Sequence, residues 1–403
     1  MSQNQVDDGN NYVKEIEFVA LSSEEIRSMA VVNITETMLY ERGLPRMNSV
    51  LDMRMGSSDR RYVCGTCKHA VPLCPGHCGK IEMAAPVYNP VFIEITLRVL
   101  RCACFFCSGL LIEDLKIPSN TFKARRRLAT ISQESRLKKI CPHCGGPQPN
   151  YSRVGLGIKK DFNLHKNIDS IFESEEEKSF AMQSFYPSDA LSILRNIKLE
   201  DLYKLGFSKG PNASKPENFI IEVLLCPSTV MRPSIACTES SRTRGHDDLT
   251  LKLQDIVKTN SLLQSEISSE KRTPQFEKLL EQMQIHLSVY LLNDTKHAKK
   301  PGGGIRSTTI RSISTRLKGK RGRIRGNLCG KRVDFSSRSV VSPDACIDLD
   351  QIGVPGFVAE KQSIPEKVTN HNMSWLKKIV SEKKCNSILR NGRETKIKYL
   401  EEE

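Results

Sequence analysis

The chain has 403 residues, enough for about two or three domains of ordinary size, so a single mini-domain is excluded. Hydrophobic residues make up 38% and aromatic residues 6%, a composition that suits an irregular, loop-rich globular protein better than a repeat array or a coiled coil. The formal net charge of +15 favours an acidic polymer such as nucleic acid as partner, because clustered lysine and arginine displace condensed counterions from phosphates. No apolar run reaches the ~18 residues of a membrane span and residues 1–11 lack the pattern of a signal peptide, so we expect an intracellular protein.

The predicted elements in the first half of the chain are short. Residues 22–25, Ser-Ser-Glu-Glu, have the pattern of a helix start with acidic side chains in the first turn. Residues 121–139 contain seven lysines and arginines and one acidic residue, Glu134, which indicates either a solvated helix face or a phosphate contact. Residues 172–207 carry apolar side chains at spacings that include three and four, and this pattern predicts helix.

The second half of the chain contains longer predicted elements. Residues 219–225 form an apolar run typical of a strand, and residues 234–245 have the polar composition of a loop. The pair Asp247-Asp248 is expected to open a helix that continues through Lys258, and another helix is expected over residues 274–292.

Two sets of paired cysteines have the spacing of metal ligands. The first set is Cys64-x2-Cys67-x6-Cys74-x2-His77, in which each pair can turn both side chains toward one ion while the residues between them form a loop. Thiolate and imidazole are ligands suited to tetrahedral zinc. The alternative is four unrelated buried side chains, which the spacing disfavours.

The second set consists of Cys104-x2-Cys107 and Cys141-x2-Cys144. Its pairs are separated by 33 residues, longer than in a compact zinc ribbon, so an inserted hairpin or helix must return the chain to the site. Four protein ligands leave no open coordination position at either set, so we predict two structural Zn²⁺ ions rather than a catalytic one.

Two further cysteines lie so close to the ligand sets that either could replace a neighbouring cysteine or histidine as a ligand. Cys78 follows the last ligand of the first set and Cys102 lies beside the first pair of the second set, so each is a rival ligand. Without a secretion signal, paired spacing among 14 cysteines indicates metal in a reducing compartment rather than a disulfide scaffold.

Positive charge is concentrated in residues 299–338. This segment contains thirteen basic residues and one acidic residue, Asp334, and its net charge of +12 is most of the charge of the chain. Glycines let the backbone of this segment approach a ligand, and arginine can bind phosphate with two donors. The segment has no aromatic residue before Phe335, so base stacking is not its expected mode of binding. A disordered basic tail or a localisation signal is the alternative, and the strand-like residues 333–341 favour a segment embedded in a fold.

The run over residues 316–336, RLKGKRGRIRGNLCGKRVDFS, closely resembles the signature of the largest subunit of eukaryotic-type DNA-directed RNA polymerases, nuclear or of large DNA viruses. Residues 51–60 leading into the first cysteine set, residues 232–234 with 247–250, and residues 349–355 are similar to that family in the same order. The resemblance implies an α+β fold. It is an irregular multi-lobed RNA polymerase clamp with two structural zinc sites, followed by a basic switch segment and the start of a β-rich active-site region.

The resemblance also implies a division into domains. The implied parts are the start of the clamp at residues 1–60, zinc-binding clamp lobes at 61–146, a clamp core at 147–292 with a lid loop at 234–245, a rudder-like loop at 293–314, the basic switch segment with the start of the active-site domain at 315–355, and a partial active-site domain at 356–403.

The function implied by the resemblance is that of the N-terminal part of the largest polymerase subunit, with clamp, lid and template-gripping switch serving nucleotidyl transfer to growing RNA. The implied partners are template DNA, the DNA–RNA hybrid, the second-largest and smaller polymerase subunits and the remaining part of the largest subunit, with no membrane. The residues implied to contact the template backbone are Lys318, Lys320, Arg323, Arg325, Lys331 and Arg332.

The chain departs from the family in one functional motif. It contains no run like Asn-Ala-Asp-Phe-Asp-Gly-Asp, whose aspartates hold catalytic Mg²⁺ in the family, so alone it is expected to bind no Mg²⁺ and to be inactive, as a fragment or as one piece of a split subunit. A non-catalytic zinc-containing nucleic-acid-binding transcription factor is the alternative function. A RING-like ligase is disfavoured because Cys64 to His77 closes as a self-contained site. The expected location is the nucleus, or the cytoplasm if the protein is viral.

Overall fold

The computed structural model describes residues 19–57, 59, 62–71, 73–112, 124–162, 184–208, 214–236, 244–267, 274–293, 310–334, 336–390 and 393–397. The chain forms two compact units, Met1–Gly322 and Arg323–Glu403, so the boundary lies within the basic segment. Among the described residues, no helix has both the length and the apolar character needed to cross a membrane.

The first unit mixes helices and short strands. Its helices are α1 (Ser23–Met29), α2 (Ile93–Cys102), α3 (Ala124–Ser135), α4 (Pro187–Asn196), α5 (Leu199–Leu205), α6 (Asp248–Ile267), α7 (Pro274–Leu291) and α8 (Ile313–Leu317). Its strands are β1 (Val32–Asn33), β2 (Tyr40–Glu41), β3 (Leu44–Pro45), β4 (Gly79–Tyr88), β5 (Asn150–Val154), β6 (Gly157–Asp161), β7 (Ser184–Phe185), β8 (Ile220–Cys226), β9 (Ile235–Ala236) and β10 (Arg244–Gly245).

One core of the first unit lies between a sheet and two long helices. Strand β4 pairs with β1 in parallel and with β8 in antiparallel orientation, and α6 and α7 pack together and against β4. Leu253, Ile256 and Leu287 are fully buried there, since apolar residues three and four apart place one stripe of each helix inward. The register of β4 shifts between Glu82 and Val87, where the Asn260 side chain accepts from the Ala84 amide and donates to the Glu82 carbonyl, both at 2.8 Å.

A second core of the first unit is built from α2 to α5 and the sheet β5–β6–β7. Leu100, Ala190 and Leu205 are among its buried side chains, and α2 packs against α3, β5 and α4. The short strand β7 pairs with β6, which forms an antiparallel hairpin with β5. This core supports the second cysteine set, because α2 and α3 both end close before its two cysteine pairs in the sequence.

Several sequence predictions are confirmed in this unit. Helix α1 begins after Ser22, whose hydroxyl accepts from the Glu25 amide while the Glu25 carboxylate accepts from the Ser22 amide, a complete capping box. The strand predicted at 219–225 is β8, and the helix predicted at 274–292 is α7. Helix α6 begins at Asp248 as expected and extends beyond the predicted end.

Two predictions need correction. The helix expected over residues 172–207 is present only as α4 and α5; residues 184–185 are strand β7, and residues 172–183 lie outside the described part. The basic run at 121–139 contains α3, yet Arg127 is buried and donates to the carbonyl oxygens of Tyr203 and Lys204. These carbonyls belong to the last turn of α5, where the Tyr203 carbonyl also accepts from the Gly206 amide at 3.1 Å. Arg127 therefore caps the end of that helix, and neither sequence interpretation applies to this side chain.

The second unit consists of α9 (Gly356–Lys361), α10 (Met373–Ser381), a π-helical turn at Ile324–Leu328 and a hairpin of β11 (Ser387–Arg390) and β12 (Arg393–Lys396). The strand predicted over residues 333–341 was wrong for the residues described there: no strand is present, and Val340 and Val341 are 94% and 95% exposed. A strand requires a neighbour to pair with, and the valines of this run do not supply one. The β-rich region expected in this part is therefore limited, among described residues, to one hairpin.

A buried arginine connects three segments of the first unit. Arg232 is 1% exposed; its guanidinium donates to the Val50 carbonyl at 2.6 Å, the Pro227 carbonyl at 3.0 Å and the Thr250 hydroxyl at 3.1 Å. Nη2, which donates to Val50, also contacts Cys226 Sγ at 3.4 Å. These bonds join the segment before the first cysteine set, the end of β8 and the start of α6.

We predict that Arg232→Ala lowers the free energy of unfolding by about 3 kcal/mol, because the Val50 and Pro227 carbonyls lose a buried donor and a cavity remains. Urea denaturation followed by circular dichroism measures the change. Arg136→Ala, at an exposed arginine, is the matched control and should change it by no more than about 0.5 kcal/mol. Equal effects of the two substitutions would contradict the role assigned to Arg232.

Candidate metal centres and nucleic-acid interface

The structure brings the first predicted ligand set together. The sulfur atoms of Cys64, Cys67 and Cys74 and a ring nitrogen of His77 all lie within 4.8 Å of one another, and the Sγ atoms of Cys67 and Cys74 are 3.5 Å apart. Ligands at ~2.3 Å from a tetrahedral zinc have sulfur atoms about 3.8 Å apart, so the spacing fits. His77 Nε2 is buried without a hydrogen-bond partner, as a metal ligand would be without its ion. This group could hold a metal ion.

A short 3₁₀ turn, Met53–Met55, positions the first set. Asp52 caps this turn by accepting from the Arg54 amide at 2.9 Å and from the Arg54 guanidinium. Burial opposes ionisation of Asp52, but the Arg54 and Asn48 donors outweigh it and lower the pKa of this carboxyl. The carbonyls of the turn then accept from the amides of Gly65 and His77, so the capped turn holds both ends of the ligand loop.

The second predicted set is also brought together. The sulfur atoms of Cys104, Cys107, Cys141 and Cys144 all lie within 4.8 Å of one another. The pair Cys104–Cys144 is separated by 3.6 Å and the pair Cys107–Cys141 by 3.7 Å, again close to the sulfur spacing around tetrahedral zinc. Helix α3 lies within the 33-residue interval and packs on α2, so an inserted helix returns the chain to the site as the sequence required.

Backbone amides supply hydrogen bonds to the sulfur atoms of both sets. Thr66 N–H donates to Cys64 Sγ at 3.4 Å, Phe106 N–H to Cys104 Sγ at 3.3 Å and His143 N–H to Cys141 Sγ at 3.4 Å. At Cys104, burial raises the pKa of the thiol. The hydrogen bonds from the amides of Cys107 and Phe106 and from the neighbouring thiols outweigh this effect and lower the pKa to about 7. The donors therefore favour the thiolate form that binds metal.

A left-handed residue follows each Cys-x2-Cys turn. Lys68 has φ of 59°, Ser108 of 57° and Gly145 of 70° at the corresponding positions. In each case the amide of the left-handed residue closes the turn by donating to the carbonyl of the first cysteine of the pair, at 3.0 Å. The same local conformation thus forms three times from different sequences, and only Gly145 adopts it without a Cβ penalty.

The rival cysteines stand outside both ligand groups. Cys102 is fully buried at the end of α2, donates to the Arg98 carbonyl at 3.1 Å and has its pKa raised to about 12 by burial. Cys78 is half-buried, and burial raises its pKa as well. The four-residue sets predicted from spacing are therefore the ones that the structure groups. Each set also closes from consecutive pairs, unlike the interleaved ligands of a RING-like ligase.

The six predicted phosphate-binding side chains are exposed. They are Lys318, Lys320, Arg323, Arg325, Lys331 and Arg332. Within the described residues none of them forms an ion pair, and Arg323 donates to the Asn327 side chain at 2.9 Å. The first two belong to the first unit and the other four to the second. Their charges are available to a phosphate ligand.

Arg316 fixes the beginning of the basic run to the first unit. Its guanidinium pairs with Asp247 at 2.5 Å, and the Arg311 amide donates to Asp248 at 3.0 Å. Both carboxylates lie at the N-terminus of α6, where the helix dipole also favours negative charge. Helix α8, capped by Ser312, therefore holds Lys318 directly after an anchored turn.

The predicted lid and rudder are described only at their ends. Strands β9 and β10 pair as an antiparallel hairpin at the two ends of residues 234–245, while residues 237–243 lie outside the described part. Of the rudder-like segment 293–314, residues 294–309 lie outside it; Asn293 donates from its side chain to the Ile310 carbonyl at 2.8 Å. The two ends of that segment are thus joined.

Gln148 is a polar contact of the second site that the sequence analysis did not identify. Its side chain reaches Cys104 Sγ at 3.2 Å from four residues beyond the last cysteine. Sequence spacing gave no signal for it, because the contact forms only when the chain has returned from α3 to the first pair.

Two separate four-ligand groups and, elsewhere in the chain, an exposed cationic segment define an α+β protein suited to structural metal and to phosphate. Comparison with known proteins gives the family. The model of RNA polymerase Rpb1, domain 1, matches residues 10–328, and that of RNA polymerase Rpb1, domain 2, matches residues 330–402.

Two relatives agree with the family models. The DNA-directed RNA polymerase II subunit RPB1 of Euplotoides octocarinatus is 33% identical over 389 residues, which are 91% of this chain and 77% of that relative. The DNA-directed RNA polymerase subunit Rpo1N of Thermococcus celer is 35% identical over 382 residues, 91% of this chain and 40% of that relative. The chain belongs to the family of the largest subunit of DNA-directed RNA polymerase and corresponds to its N-terminal part, so the resemblance seen in the sequence is confirmed.

We predict that the purified chain contains about two zinc ions, and that Cys104→Ser and Cys144→Ser each reduce this to about one. Atomic emission measures zinc per chain. Cys346→Ser, at an exposed cysteine outside both sets, is the control and should retain about two. One zinc or none in the unmodified chain would contradict the second site.

We predict opposite effects of glycine at two lysines. Lys68→Gly should raise the free energy of unfolding by up to about 1 kcal/mol, because Lys68 has positive φ. Lys258→Gly, on an exposed face of α6, should lower it by about 1 kcal/mol. Urea unfolding of the zinc-loaded proteins measures both values, and a loss at Lys68 comparable to that at Lys258 would rule out the strained turn.

Proposed function

We propose that this chain forms the clamp, lid and template-gripping switch of a DNA-directed RNA polymerase during transcription. The observation that carries the proposal is the row of exposed cations over residues 318–332, unpaired within the described residues, in a chain of this family. Exposed lysine and arginine bind the phosphate backbone without reading bases, which suits an enzyme that transcribes any template. The proposed DNA contacts are Lys318, Lys320, Arg323, Arg325, Lys331 and Arg332.

Both cysteine groups are proposed to hold structural zinc that braces the clamp. Their sulfur spacing, the hydrogen bonds to sulfur and the unpartnered His77 Nε2 support this. Zinc would supply charge neutralisation and a rigid cross-link, and no activated water. The proposed ligands are Cys64, Cys67, Cys74 and His77 for one ion and Cys104, Cys107, Cys141 and Cys144 for the other.

The nucleotidyl transfer itself is proposed to need other parts of the polymerase. The 403 residues contain no Asn-Ala-Asp-Phe-Asp-Gly-Asp run, so catalytic Mg²⁺ would be held elsewhere in the assembled enzyme and the chain alone would be inactive. The proposed partners are template DNA, the DNA–RNA hybrid, the other polymerase subunits and the rest of the largest subunit. The domain boundaries implied by the resemblance, and a nuclear location or a cytoplasmic one for a viral protein, belong to the same proposal.

Membership of the polymerase family favours this function over a free-standing zinc-containing transcription factor. The two family models together account for residues 10–328 and 330–402, which leaves little of the chain for an unrelated activity. An accessory factor would bind DNA without assembling with the other polymerase subunits. Co-purification with those subunits therefore separates the two functions.

We predict that Lys318→Ala and Lys320→Ala each reduce the salt dependence of DNA binding by about one unit of slope, because each loses one phosphate contact. Fluorescence anisotropy of the full chain with duplexes of two unrelated sequences, from low to moderate salt, measures the slope. Lys377→Ala, at an exposed lysine of α10, is the control and should leave it unchanged. Unchanged slopes in the Lys318 and Lys320 variants, or effects confined to one sequence, would refute the proposed contacts.

A further inference from the structure

The second metal site contains one neutral side chain bonded directly to a ligand sulfur. The Gln148 amide nitrogen donates to Cys104 Sγ at 3.2 Å and to the Gly146 carbonyl at 2.9 Å, and its oxygen accepts from the Phe105 amide at 2.9 Å. Gln148 is 7% exposed. A buried amide with three partners is held in one orientation.

These partners also determine which end of the amide faces the sulfur. The Phe105 N–H can only donate and therefore requires the amide oxygen, whereas the Gly146 carbonyl can only accept and requires the amide nitrogen. With those two bonds made, the second N–H of Gln148 is directed at Cys104. Reversing the amide would oppose donor to donor and oxygen to oxygen.

Cys104 is the ligand that most needs such a donor. It is fully buried and Cys141 is 2% exposed, whereas Cys107 and Cys144 are exposed and can be solvated by water. A buried thiolate must obtain its hydrogen bonds from the protein. Cys104 receives them from the amides of Phe106 at 3.3 Å and Cys107 at 3.5 Å, and the contact from Gln148 is the shortest of the three.

Gln148 also joins the two halves of the site. Its oxygen holds the backbone within the first Cys-x2-Cys turn, and its nitrogen holds Gly146, just after the second turn. Among the described residues, the lobe's own buried cluster contains only Cys104, Leu111 and Cys141, so it has little apolar material to perform this task. Loss of the amide would therefore weaken both the position and the charge balance of the ligands.

We propose that Gln148 is a positioning residue of the second metal site, whose hydrogen bond to Cys104 slows release of the ion and tunes the cysteine sulfur as a ligand. This inference rests on the proposed zinc site. Removing a hydrogen-bond donor to a metal ligand typically lowers the metal affinity by about 10–100-fold. The first site is an internal reference in the same molecule.

The test uses the zinc-loaded 403-residue chain and a chromogenic chelator. Gln148→Glu, which replaces the donor with an acceptor of the same shape, and Gln148→Leu, which removes all three bonds, are each expected to release one zinc at least ~10-fold faster than the unmodified chain, with the other zinc unaffected. Cys144→Ser identifies which release phase belongs to the second site.

The matched control is Gln284→Glu. Gln284 is likewise 7% exposed and donates to the Tyr88 carbonyl at 2.6 Å, but it lies on α7 and is not bonded to a ligand. Its variant should lose stability without faster release from the second site. Equal acceleration in the Gln284 variant would overturn the inference, because general destabilisation would then explain the effect.

A spectroscopic measurement separates tuning from folding. In chains loaded with Co²⁺, the sulfur-to-metal charge-transfer band should move to lower energy in both Gln148 variants, since a lost hydrogen bond raises the energy of the sulfur lone pairs. Unchanged spectra and release rates in both variants would overturn the proposal. Fewer than about two zincs in the unmodified chain would instead count against the zinc sites themselves.

Discussion

The structure depends on bringing four ligand atoms within 4.8 Å of one another at each of two places. Thiolates at such distances repel one another, and the proposed cation would make the charged arrangement favourable. The second lobe shows the dependence most clearly, because among the described residues its own buried cluster has three members and two of them, Cys104 and Cys141, are proposed ligands. The proposed zinc would take the place of a hydrophobic core there by cross-linking the chain.

A continuous series of contacts leads from the first metal group to the basic segment. The Thr229 hydroxyl donates to the Gly56 carbonyl at 2.6 Å beside the ligand loop, and Arg232 bonds to Thr250 on α6 at 3.1 Å. At the N-terminus of the same helix, Asp247 pairs with Arg316. Lys318 and Lys320, which follow Arg316 within the first unit, are therefore carried on the same framework that positions the first ligand group.

The sequence predicted the features that depend on neighbouring residues. Cysteine pairs two residues apart meet because one turn brings them together, and helix α7 follows from its apolar spacing and its position between loops. The resemblance over residues 316–336 identified the family because a long run of basic and glycine residues in one order rarely arises otherwise.

What the sequence could not supply depends on distant parts of the chain. Arg127 has the pattern of a surface cation, but its guanidinium donates to two carbonyls in the last turn of α5, which lie 76 and 77 residues away. Gln148 becomes a contact of Cys104 only through the fold. Conversely, residues 333–341 have the composition of a strand but no partner to pair with among the described residues.

The most direct test of the central claim is photo-crosslinking of the template strand in the assembled polymerase containing this chain. Phosphate-linked photoreactive groups would be placed along the template, and crosslinked peptides of this chain would be identified by mass spectrometry. The account predicts crosslinks within residues 318–332. Template crosslinks that consistently fall elsewhere in the chain, with none in that segment, would contradict it.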